Sequence, residues 1–369
     1  MLRRGDAGMT PIRILVDSFA DAGLSNAQMG NAREIVCRLD SGRFHVSMFL
    51  VGEPDPRIVR RRNTRLIQLA QRRQTVKILS EFLLGAHEVL FYMKASPASK
   101  VYSKLRRRWR DGRATIGTVE SQSNLRNEPT VTHESVGLWE QTVLRCDYLF
   151  SNSSCVQRGL EREYGLKSAI IPTGVDTRFF TPDWERTSNP RPRVLFVGSL
   201  RPFKQPQFLL AAAKRFQDAD FRIAGDGPMA DELNDQVVRE AMRNVAMLGP
   251  LSVEALRMEY QRADVFLFPS AWEGSPKVVL EAAACGLPVI VRNDYAPETV
   301  VHGETGFQAR SDEELMAWLH LLLGNTELRR KIGRAGRLHS LRYDWDVIAR
   351  QWEATFERVA GKPGLRKAS

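Results

Sequence analysis

The stretch from Val265 to Gly286 constrains the fold of this 369-residue chain more than any other segment. Its first four residues, Val265–Phe268, are apolar and predict a buried strand, and a turn of small residues follows. A helix is predicted to begin near Pro276, because proline at the first helical position loses no useful N–H, and to end at Gly286. A strand, a tight loop and a helix N-terminus form an anion site, since free N–H groups and the helix dipole both point at the loop.

Two carboxylates bracket this predicted anion site. Glu273 lies in the loop, and Glu281 lies about a turn and a half inside the helix. A phosphate alone does not call for nearby carboxylates. A phosphate that carries hydroxyl-rich groups on both sides does, because carboxylates accept hydrogen bonds from diols. The segment therefore indicates a nucleotide-sugar ligand.

The segment resembles the donor-site motif of retaining glycosyltransferases of family 4, also described as glycosyl transferases group 1, which have the GT-B fold. Four further motifs follow the order of that family and extend the resemblance over about residues 145 to 360. They are Ile171–Asp176 with Phe179 and Pro182, Val194–Ser199, Ile223–Pro228 and Gly303–Phe307. Each motif is weak alone, whereas five in series are specific. The resemblance implies an α/β protein with two doubly wound Rossmann-like domains facing a central cleft.

Apolar runs alternate with helical patterns along the chain, which by itself predicts βαβ units and two parallel sheets. Two domains are expected at this length, and a stretch rich in breaking residues at 181–192 predicts the hinge. We expect a disordered leader at 1–8, an acceptor-side domain at 9–182 and a nucleotide-sugar-binding domain at 183–345. The last segment, 346–369, contains a helix. The resemblance implies that this helix returns to the N-terminal domain. In the first half, helices are predicted over Ala27–Leu39, Ile58–Leu83 and Val136–Arg145.

The resemblance implies roles for the residues around the predicted anion site. Glu281 would accept hydrogen bonds from the ribose diol, and Glu273 would face the donor sugar. The alternatives are a solvated helix glutamate and a carboxylate that complements the helix dipole. The loop and helix start would meet the diphosphate, and Lys277 either adds a cation there or points to solvent. These donor-binding positions are Gly274, Ser275, Pro276, Lys277 and Val278.

The turn after Val197 departs from the family pattern at one position. Gly198 and Lys204 match a glycine and a lysine of the family, but Ser199 stands where the family has an arginine. We expect Arg201 to replace that arginine, so that Lys204 and Arg201 neutralise the leaving diphosphate; the alternative for Arg201 is a solvated turn residue. The nucleotide base would lie against the loop that begins at Gly249.

The acceptor-side residues are less clearly marked. Gly23 fits a glycine of the family's first loop, and Asn26 in that loop would either hydrogen-bond a sugar acceptor or cap the helix that follows. After the predicted strand Thr115–Val119, many family members have a histidine near the acceptor. This chain has Glu120 there, which puts a histidine-dependent contact in doubt and leaves Glu120 to supply the polar group.

The charge of the chain is concentrated in one region. The net charge of +11 falls almost entirely within residues 1–180, and residues 57–113 hold 16 basic and 3 acidic side chains. This excess indicates an anionic partner. Apolar residues at helical spacing within Ile58–Leu83 either bury against the N-terminal domain while the arginines face outward, or let this helix lie on an anionic membrane. A solvated basic face and an anionic soluble acceptor are the alternatives. The basic run from Arg57 to Arg73 contains no aromatic residue, so no nucleic-acid partner is expected.

The remaining sequence features bound the location and the cofactors. The four cysteines form no Cys-x-x-Cys pair, so a reducing compartment is favoured, and no apolar run approaches the ~18 residues of a membrane span. We therefore expect a cytoplasmic protein, with peripheral attachment to the inner face of a membrane as an alternative. The Asp-x-Asp triplets at 218–220 and 344–346 lie outside a metal-binding context. No metal and no cofactor is expected, since the nucleotide-sugar is a substrate.

Taken with the resemblance, these features predict a retaining, metal-independent glycosyltransferase. It would move a sugar from a nucleotide-sugar donor to a glycan or lipid-linked acceptor, in envelope polysaccharide or glycolipid synthesis. Two other readings remain open. One is a sugar phosphorylase or epimerase on the same fold, and the other is a non-catalytic binder of anionic glycan or nucleic acid. Release of a nucleoside diphosphate in the presence of an acceptor separates a transferase from a binder.

Overall fold

The computed structural model describes residues 10–23, 26–70, 72–109, 111–121 and 133–360, without the side chains of 133–135. The predicted leader lies outside the described residues. The chain divides into two compact units. The first unit contains the described residues up to Asn152, then Val156–Ile171, and those from Trp345 onward. The second contains Ser153–Cys155 and Pro172–Asp344.

The first unit is built on a seven-stranded sheet in which every described pairing is parallel. The strand order is β3-β2-β1-β4-β5-β6-β7, so the chain reverses its direction across the sheet between β1 and β4. The strands are β1 Ile12–Phe19, β2 Phe44–Leu50, β3 Thr64–Gln68, β4 Val89–Phe91, β5 Ala114–Val119, β6 Tyr148–Ser151 and β7 Ala169–Ile170. The helices are α1 Ala27–Arg38, α2 Pro56–Arg60, α3 Gln74–Leu84, α4 Pro97–Trp109, α5 His133–Gln141 and α6 Ser154–Tyr164, and the last helix of the chain, α13 Trp345–Val359, joins them.

The predicted helix Ile58–Leu83 is wrong, because a strand interrupts it. The short helix α2 ends at Arg60, and Asn63 turns the backbone with a positive φ of 54°. The Arg61 guanidinium then donates to the Phe44 carbonyl at 2.9 Å, which holds this segment against β2. The strand β3 follows and pairs with β2 in parallel. Apolar residues that suggested one amphipathic helix therefore belong to three separate elements.

The second unit repeats the same topology with six strands in the order β10-β9-β8-β11-β12-β13. Its described strand pairings are all parallel, and the reversal falls between β8 and β11. The strands are β8 Arg193–Val197, β9 Asp220–Ala224, β10 Val245–Gly249, β11 Val265–Phe268, β12 Val289–Arg292 and β13 Gly306–Ala309. The helices are α7 Gln207–Arg215, α8 Ala230–Arg239, α9 Val253–Arg262, α10 Lys277–Ala284, α11 Asp312–Gly324 and α12 Thr326–Ser340. The central strands are apolar and fully buried, as expected for a parallel sheet covered on both faces.

The boundary between the two units lies earlier in the sequence than the predicted hinge at 181–192. The division falls between Ile171 and Pro172, because Val175 and Phe180 already pack into the core of the second unit. At the other end, α13 packs into the core of the first unit. Trp352 of that helix lies 4.6 Å from Phe91, measured between ring centroids. Within the described residues, the structure contains no helix of the length and apolar character that a membrane crossing needs.

Candidate active site

Two loops meet at the carboxyl edge of the second sheet, where the strand order reverses between β8 and β11. The loop after β8 runs from Gly198 through a 3₁₀ turn, Pro202–Lys204, and the loop after β11 leads to Pro276 at the start of α10. The backbone joins the two loops, since the Ala271 N–H donates to the Phe203 carbonyl at 2.9 Å. Ligands of doubly wound sheets bind at this reversal point, so we take it as the candidate site.

The glycine turn after β9 supports the first of these loops by close packing. Gly225 has a φ of +137°, and a Cβ atom there would lie 1.9 Å from the Gly198 carbonyl oxygen. Gly227 has a φ of +156°, and its Cβ would lie 2.7 Å from the Leu200 carbonyl oxygen. Both positions therefore require glycine for steric reasons. Gly249, which ends β10, accepts a hydrogen bond from the Gly225 N–H at 2.8 Å.

Lys204 and Glu273 form an ion pair that links the two loops. The side chains are only 15% and 11% exposed, so the pair is shielded from solvent. The Ser270 hydroxyl donates to the same carboxylate at 2.6 Å, and the Lys204 ammonium lies 5.0 Å from the centre of the Phe268 ring. The structure thus brings together the two residues that the sequence identified in separate motifs. Ser270 was not predicted, although its position two residues after the buried strand β11 was a usable signal.

Arg201 lies on the same loop as Lys204, at the residue that precedes the 3₁₀ turn. Its backbone carbonyl accepts from the Lys204 N–H at 3.0 Å, and its side chain is exposed. Among the described residues, no hydrogen bond or ion pair of the Arg201 guanidinium is found. Ser199 is half-buried two residues earlier. An exposed guanidinium on a loop that also carries Lys204 is available for an anion.

The helix α10 begins within one residue of the predicted start, because Pro276 is its N-cap and not its first helical residue, and no side chain caps its first N–H groups. Gly274 just before it is buried. The Ser275 hydroxyl oxygen is also buried, and no hydrogen bond to it occurs among the described residues. Lys277 and Val278 occupy the first turn and are half-buried. Uncapped N–H groups and a lysine give this helix start the electrostatic character of an anion site.

Glu281 lies one turn further along α10 and is held by a buried tyrosine. The Tyr260 hydroxyl donates to its carboxylate at 3.0 Å and also contacts the Val278 carbonyl oxygen at 3.3 Å. Burial raises the pKa of Glu281, while the charge of Lys277 and the hydrogen bond from Tyr260 act in the opposite direction. A carboxylate in this position retains acceptor capacity for a ligand diol. The sequence gave no sign of Tyr260, because α9 carries it on the face that packs inward.

Arg292, which the sequence did not predict either, connects the two loops through hydrogen bonds. It is 9% exposed at the end of β12. Its Nε donates to the Gln205 side chain at 2.8 Å and to the Pro269 carbonyl at 3.1 Å, and its terminal nitrogen pairs with Asp312. A buried charge of this kind persists only when it is fully paired, so Arg292 fixes the relative positions of the loops.

In the first unit, Glu120 follows β5 at the carboxyl edge of the sheet. Its carboxylate accepts from the Asn31 amide at 2.9 Å and from the Tyr92 hydroxyl. Burial and the Glu120 charge together raise the pKa of Tyr92 well above its usual value. The Asn31 Oδ1 atom is buried, and no partner for it occurs among the described residues. Glu120 is therefore part of an ordered polar group rather than a solvated loop residue.

The other two acceptor-side residues have simpler surroundings. Asn26 caps α1, since its side chain accepts from the Met29 N–H at 2.8 Å, and it is exposed. The capping alternative raised from the sequence therefore describes what Asn26 does in the structure. Gly23 lies in the loop after β1, and a Cβ there would meet no atom within 4 Å.

A second polar pair, which the sequence did not predict, lies on this edge of the sheet. Asp17 lies near the end of β1, is 5% exposed, and accepts from the Lys94 N–H at 2.8 Å. Burial raises the pKa of Asp17 to about 6, although the Lys94 charge opposes the rise. Burial lowers the pKa of Lys94, while the charges of Asp17 and Glu120 act against that effect. The available signal was a carboxylate directly after the apolar run Ile12–Val16.

The described residues contain no group of three His, Cys, Asp or Glu side chains arranged to hold a metal ion. Within the second Asp-x-Asp triplet, Asp344 accepts hydrogen bonds from the Thr177 N–H at 3.2 Å and from the Thr177 hydroxyl. It therefore has a structural role at the base of the segment that follows Pro172.

Known protein structures share this architecture. Sucrose-phosphate synthase from Thermosynechococcus elongatus superposes with a TM-score of 0.75 and 18% identity, over 95% of this chain and 99% of that one. Anabaena Alr3699/HepE in complex with UDP and glucose also gives a TM-score of 0.75, at 17% identity over 94% of this chain and 100% of that one. At these identities the similarity establishes the fold.

Sequence relatives extend the comparison to function. D-inositol 3-phosphate glycosyltransferase of Geodermatophilus obscurus is 30% identical over 258 residues, which is 60% of this chain and 55% of that protein. The corresponding enzyme of Corynebacterium diphtheriae is 31% identical over 249 residues, or 60% of this chain and 58% of that protein. The matches thus span little more than half the length of these relatives.

The two doubly wound parallel units, with a charged site at the strand reversal of the second, define a protein of the GT-B fold. Residues 181–339 match the family model of glycosyl transferases group 1. Over this segment, which is less than half of the chain, the sequence is similar to the group 1 glycosyltransferases, as the resemblance inferred from the sequence led us to expect.

Proposed function

We propose that this chain is a retaining glycosyltransferase that moves a sugar from a nucleotide-sugar donor to a glycan or lipid-linked acceptor. The observation that supports this most is the grouping of Lys204, Glu273 and the uncapped start of α10 at one strand reversal. Cations and free N–H groups suit a diphosphate. Carboxylates on both sides suit the hydroxyl groups of a sugar and a ribose.

In the proposed complex, the diphosphate lies against Lys204, Arg201 and the first turn of α10. In the structure Glu273 neutralises Lys204. The arriving diphosphate competes for that ammonium and frees Glu273 to accept hydrogen bonds from the donor sugar. Glu281 accepts hydrogen bonds from the ribose diol in addition to the one that Tyr260 donates. Uridine diphosphate is the first nucleotide to test, because a structure of similar fold was solved with UDP-glucose.

The proposed reaction breaks the bond between the anomeric carbon and the diphosphate oxygen and forms a bond to an acceptor hydroxyl on the same face of the sugar. The proton of that hydroxyl passes to the departing phosphate oxygen. Lys204, Arg201 and the dipole of α10 stabilise the negative charge that develops on the leaving group, which is where electrostatic catalysis has its largest effect. No metal or cofactor takes part in this scheme.

The acceptor is proposed to contact the polar group around Glu120 in the first unit. Glu120, with Asn31 and Tyr92, and the neighbouring Asp17 supply mainly hydrogen-bond acceptors, which suits a polyol. We further propose that the protein works in the cytoplasm at the inner face of a membrane, in the synthesis of an envelope polysaccharide or glycolipid.

The proposal is tested first by nucleotide binding. A thermal-shift screen of UDP, GDP and ADP with their common sugars should give a stabilising nucleotide, because a ligand that binds only the folded state raises its stability. Glu281→Ala should remove that stabilisation, and Glu161→Ala, at an exposed glutamate on α6, is the matched control. Turnover with an acceptor should release the nucleoside diphosphate and give a product with the anomeric configuration of the donor. EDTA should leave turnover unchanged.

Two results would contradict the proposal. Nucleotide binding without release of diphosphate to any acceptor of the panel, including inositol phosphate, would favour a non-catalytic binder. An inverted product would refute retention while leaving the donor site intact.

A further inference from the structure

The basic excess of the first unit is distributed differently from what the sequence suggested. Three arginines of the run that begins at residue 57 have partners in the structure. Arg57 pairs with Asp55 at 2.7 Å, Arg65 pairs with Glu81 at 3.0 Å, and Arg61 donates to backbone carbonyls. These guanidinium groups stabilise the fold, so the surface that remains available for an anionic partner lies elsewhere.

That surface is on α4, whose sequence from Pro97 to Trp109 contains no acidic residue. Lys104, Arg107 and Arg108 are exposed on it. No ion pair of the described residues includes any of the three. Arg106 between them behaves differently, because it turns inward and pairs with Asp147 at 2.8 Å. The helix thus separates one structural arginine from a group of solvent-facing cations.

Large apolar side chains lie beside these cations. Val101 is 41% exposed and Trp109 is 61% exposed, and the half-buried Leu105 stands between them at a spacing of four residues. Positions four apart share one face of a helix, so these three form an apolar stripe along α4. Lys104 and Arg108 are adjacent to it. A group of neighbouring exposed apolar side chains often marks an interaction site, and a tryptophan suits the boundary of a membrane.

The end of α3 lies close to α4 and adds another exposed apolar residue. Arg113, four residues after α4, donates to the Gly85 carbonyl at 3.2 Å and to the Leu83 carbonyl at 3.4 Å. This places the end of α3 beside the segment that follows α4, and Phe82 of α3 also lies 5.4 Å from Tyr102 of α4, measured between ring centroids. Leu84, which lies between the two accepting residues, is 84% exposed, the highest value among the exposed large apolar residues of the described chain.

We propose that this α3–α4 surface docks the protein onto an anionic lipid bilayer. The surface is defined by Leu84, Val101, Lys104, Arg107, Arg108 and Trp109. The cations approach the charged headgroups, and the apolar side chains enter the boundary between headgroups and acyl chains, as in helices that lie in a membrane interface. The inference goes beyond the transfer reaction and does not depend on it.

The chemistry of the surface favours a bilayer over a soluble polyanion. A soluble anionic glycan would use the cations but would leave Leu84, Val101 and Trp109 in water. A bilayer satisfies both kinds of group at once, because its headgroups are anionic and its acyl chains remove apolar area from water. The helix α4 can contact a bilayer without unfolding, because its inward face, where Tyr102 is fully buried, packs on the sheet and leaves its outward face available.

The test is co-sedimentation of the full-length protein with vesicles. Vesicles of phosphatidylcholine with about one third phosphatidylglycerol are compared with pure phosphatidylcholine, at low and high salt, without any nucleotide. Each cation near an anionic surface contributes about 1 kcal/mol. The triple variant Lys104→Ala, Arg107→Ala, Arg108→Ala should therefore reduce partitioning by about a hundredfold. A control with the same charge change removes three exposed cations of the second unit, Arg239, Arg243 and Lys331.

The apolar contribution is measured separately. Leu84→Ser with Trp109→Ser should weaken binding at both salt concentrations, because burial of apolar area is not screened by salt. The matched control is Val238→Ser with Leu338→Ser, at two residues of the second unit that are 79% and 68% exposed. Nucleotide stabilisation is recorded for every variant, so a failure of the donor site is distinguished from a failure of membrane docking.

Three results would overturn the inference. The first is equal partitioning to anionic and neutral vesicles at low salt. The second is a triple variant that binds as tightly as its control. The third is binding of the protein to a soluble polyanion such as heparin, through the same cations, without any binding to vesicles. Salt-sensitive binding to anionic vesicles that is lost in the triple variant and weakened in the apolar variant supports it.

Discussion

Asp17 offers a direct test of the electrostatics at the edge of the first sheet. Its carboxylate is 5% exposed, and burial raises its pKa to about 6 from an ordinary value of 3.8. This difference corresponds to about 3 kcal/mol, at 1.36 kcal/mol for a tenfold change in the ionisation equilibrium. The charged form of Asp17 therefore costs the folded state about 3 kcal/mol relative to its neutral form.

The direction in which stability changes with pH follows from the number of protons that each state binds. Below about pH 4 Asp17 is mostly protonated in both states, and its ionisation contributes little to the free energy of unfolding. Between about pH 4 and 6 the folded chain keeps a proton that the unfolded chain has lost, so stability falls as pH rises. Above pH 6 the full cost is present. Asp17→Asn keeps an acceptor for the Lys94 N–H, which lies 2.8 Å away, and removes the charge.

The assay is urea unfolding of wild type and Asp17→Asn at pH values from 4 to 8. We expect the variant to gain less than about 1 kcal/mol near pH 4 and about 3 kcal/mol above pH 7. Asp235→Asn, at an exposed position on α8, is the control and should show no such pH dependence. If Asp17→Asn is less stable than wild type at pH 7.5, the Lys94 charge outweighs burial and the reasoning is refuted.

Three further predictions concern the donor site. Glu281→Ala should weaken binding of the preferred nucleoside diphosphate ten- to a hundredfold, since charge-assisted bonds contribute about 1.5–3 kcal/mol; unchanged affinity by calorimetry in a folded variant would remove Glu281 from the site. Arg201→Ala should lower turnover about as much as Lys204→Ala, and kinetics near wild type for Arg201→Ala alone would show that it does not replace the arginine missing at Ser199. Gly225→Ala should lower the unfolding temperature by several degrees, because its Cβ would lie 1.9 Å from a backbone oxygen; a melting curve that matches wild type would exclude that steric requirement.

The sequence determined the repeating architecture and half of the candidate site. Strands such as Val265–Phe268, which is predicted and observed with the same bounds, are read correctly because a doubly covered parallel strand is continuously apolar. The start of α10 directly after Pro276 is likewise a local property, since the restricted backbone of proline suits the beginning of a helix. Glu273 and Lys204 were identified from motifs that are local in sequence.

The sequence could not decide features that depend on which elements are neighbours. The helix predicted over Ile58–Leu83 failed because β3 gains its hydrogen bonds from β2, a partner that helical periodicity does not reveal. The raised pKa values of Asp17 and Glu281 arise from burial, which only packing creates. The basic residues could be counted from the sequence, but only tertiary contacts decide what each one does. Arg57 and Arg65 form ion pairs, whereas Arg107 and Arg108 face solvent. Composition is a property of the chain, whereas the availability of a charge is a property of its surroundings.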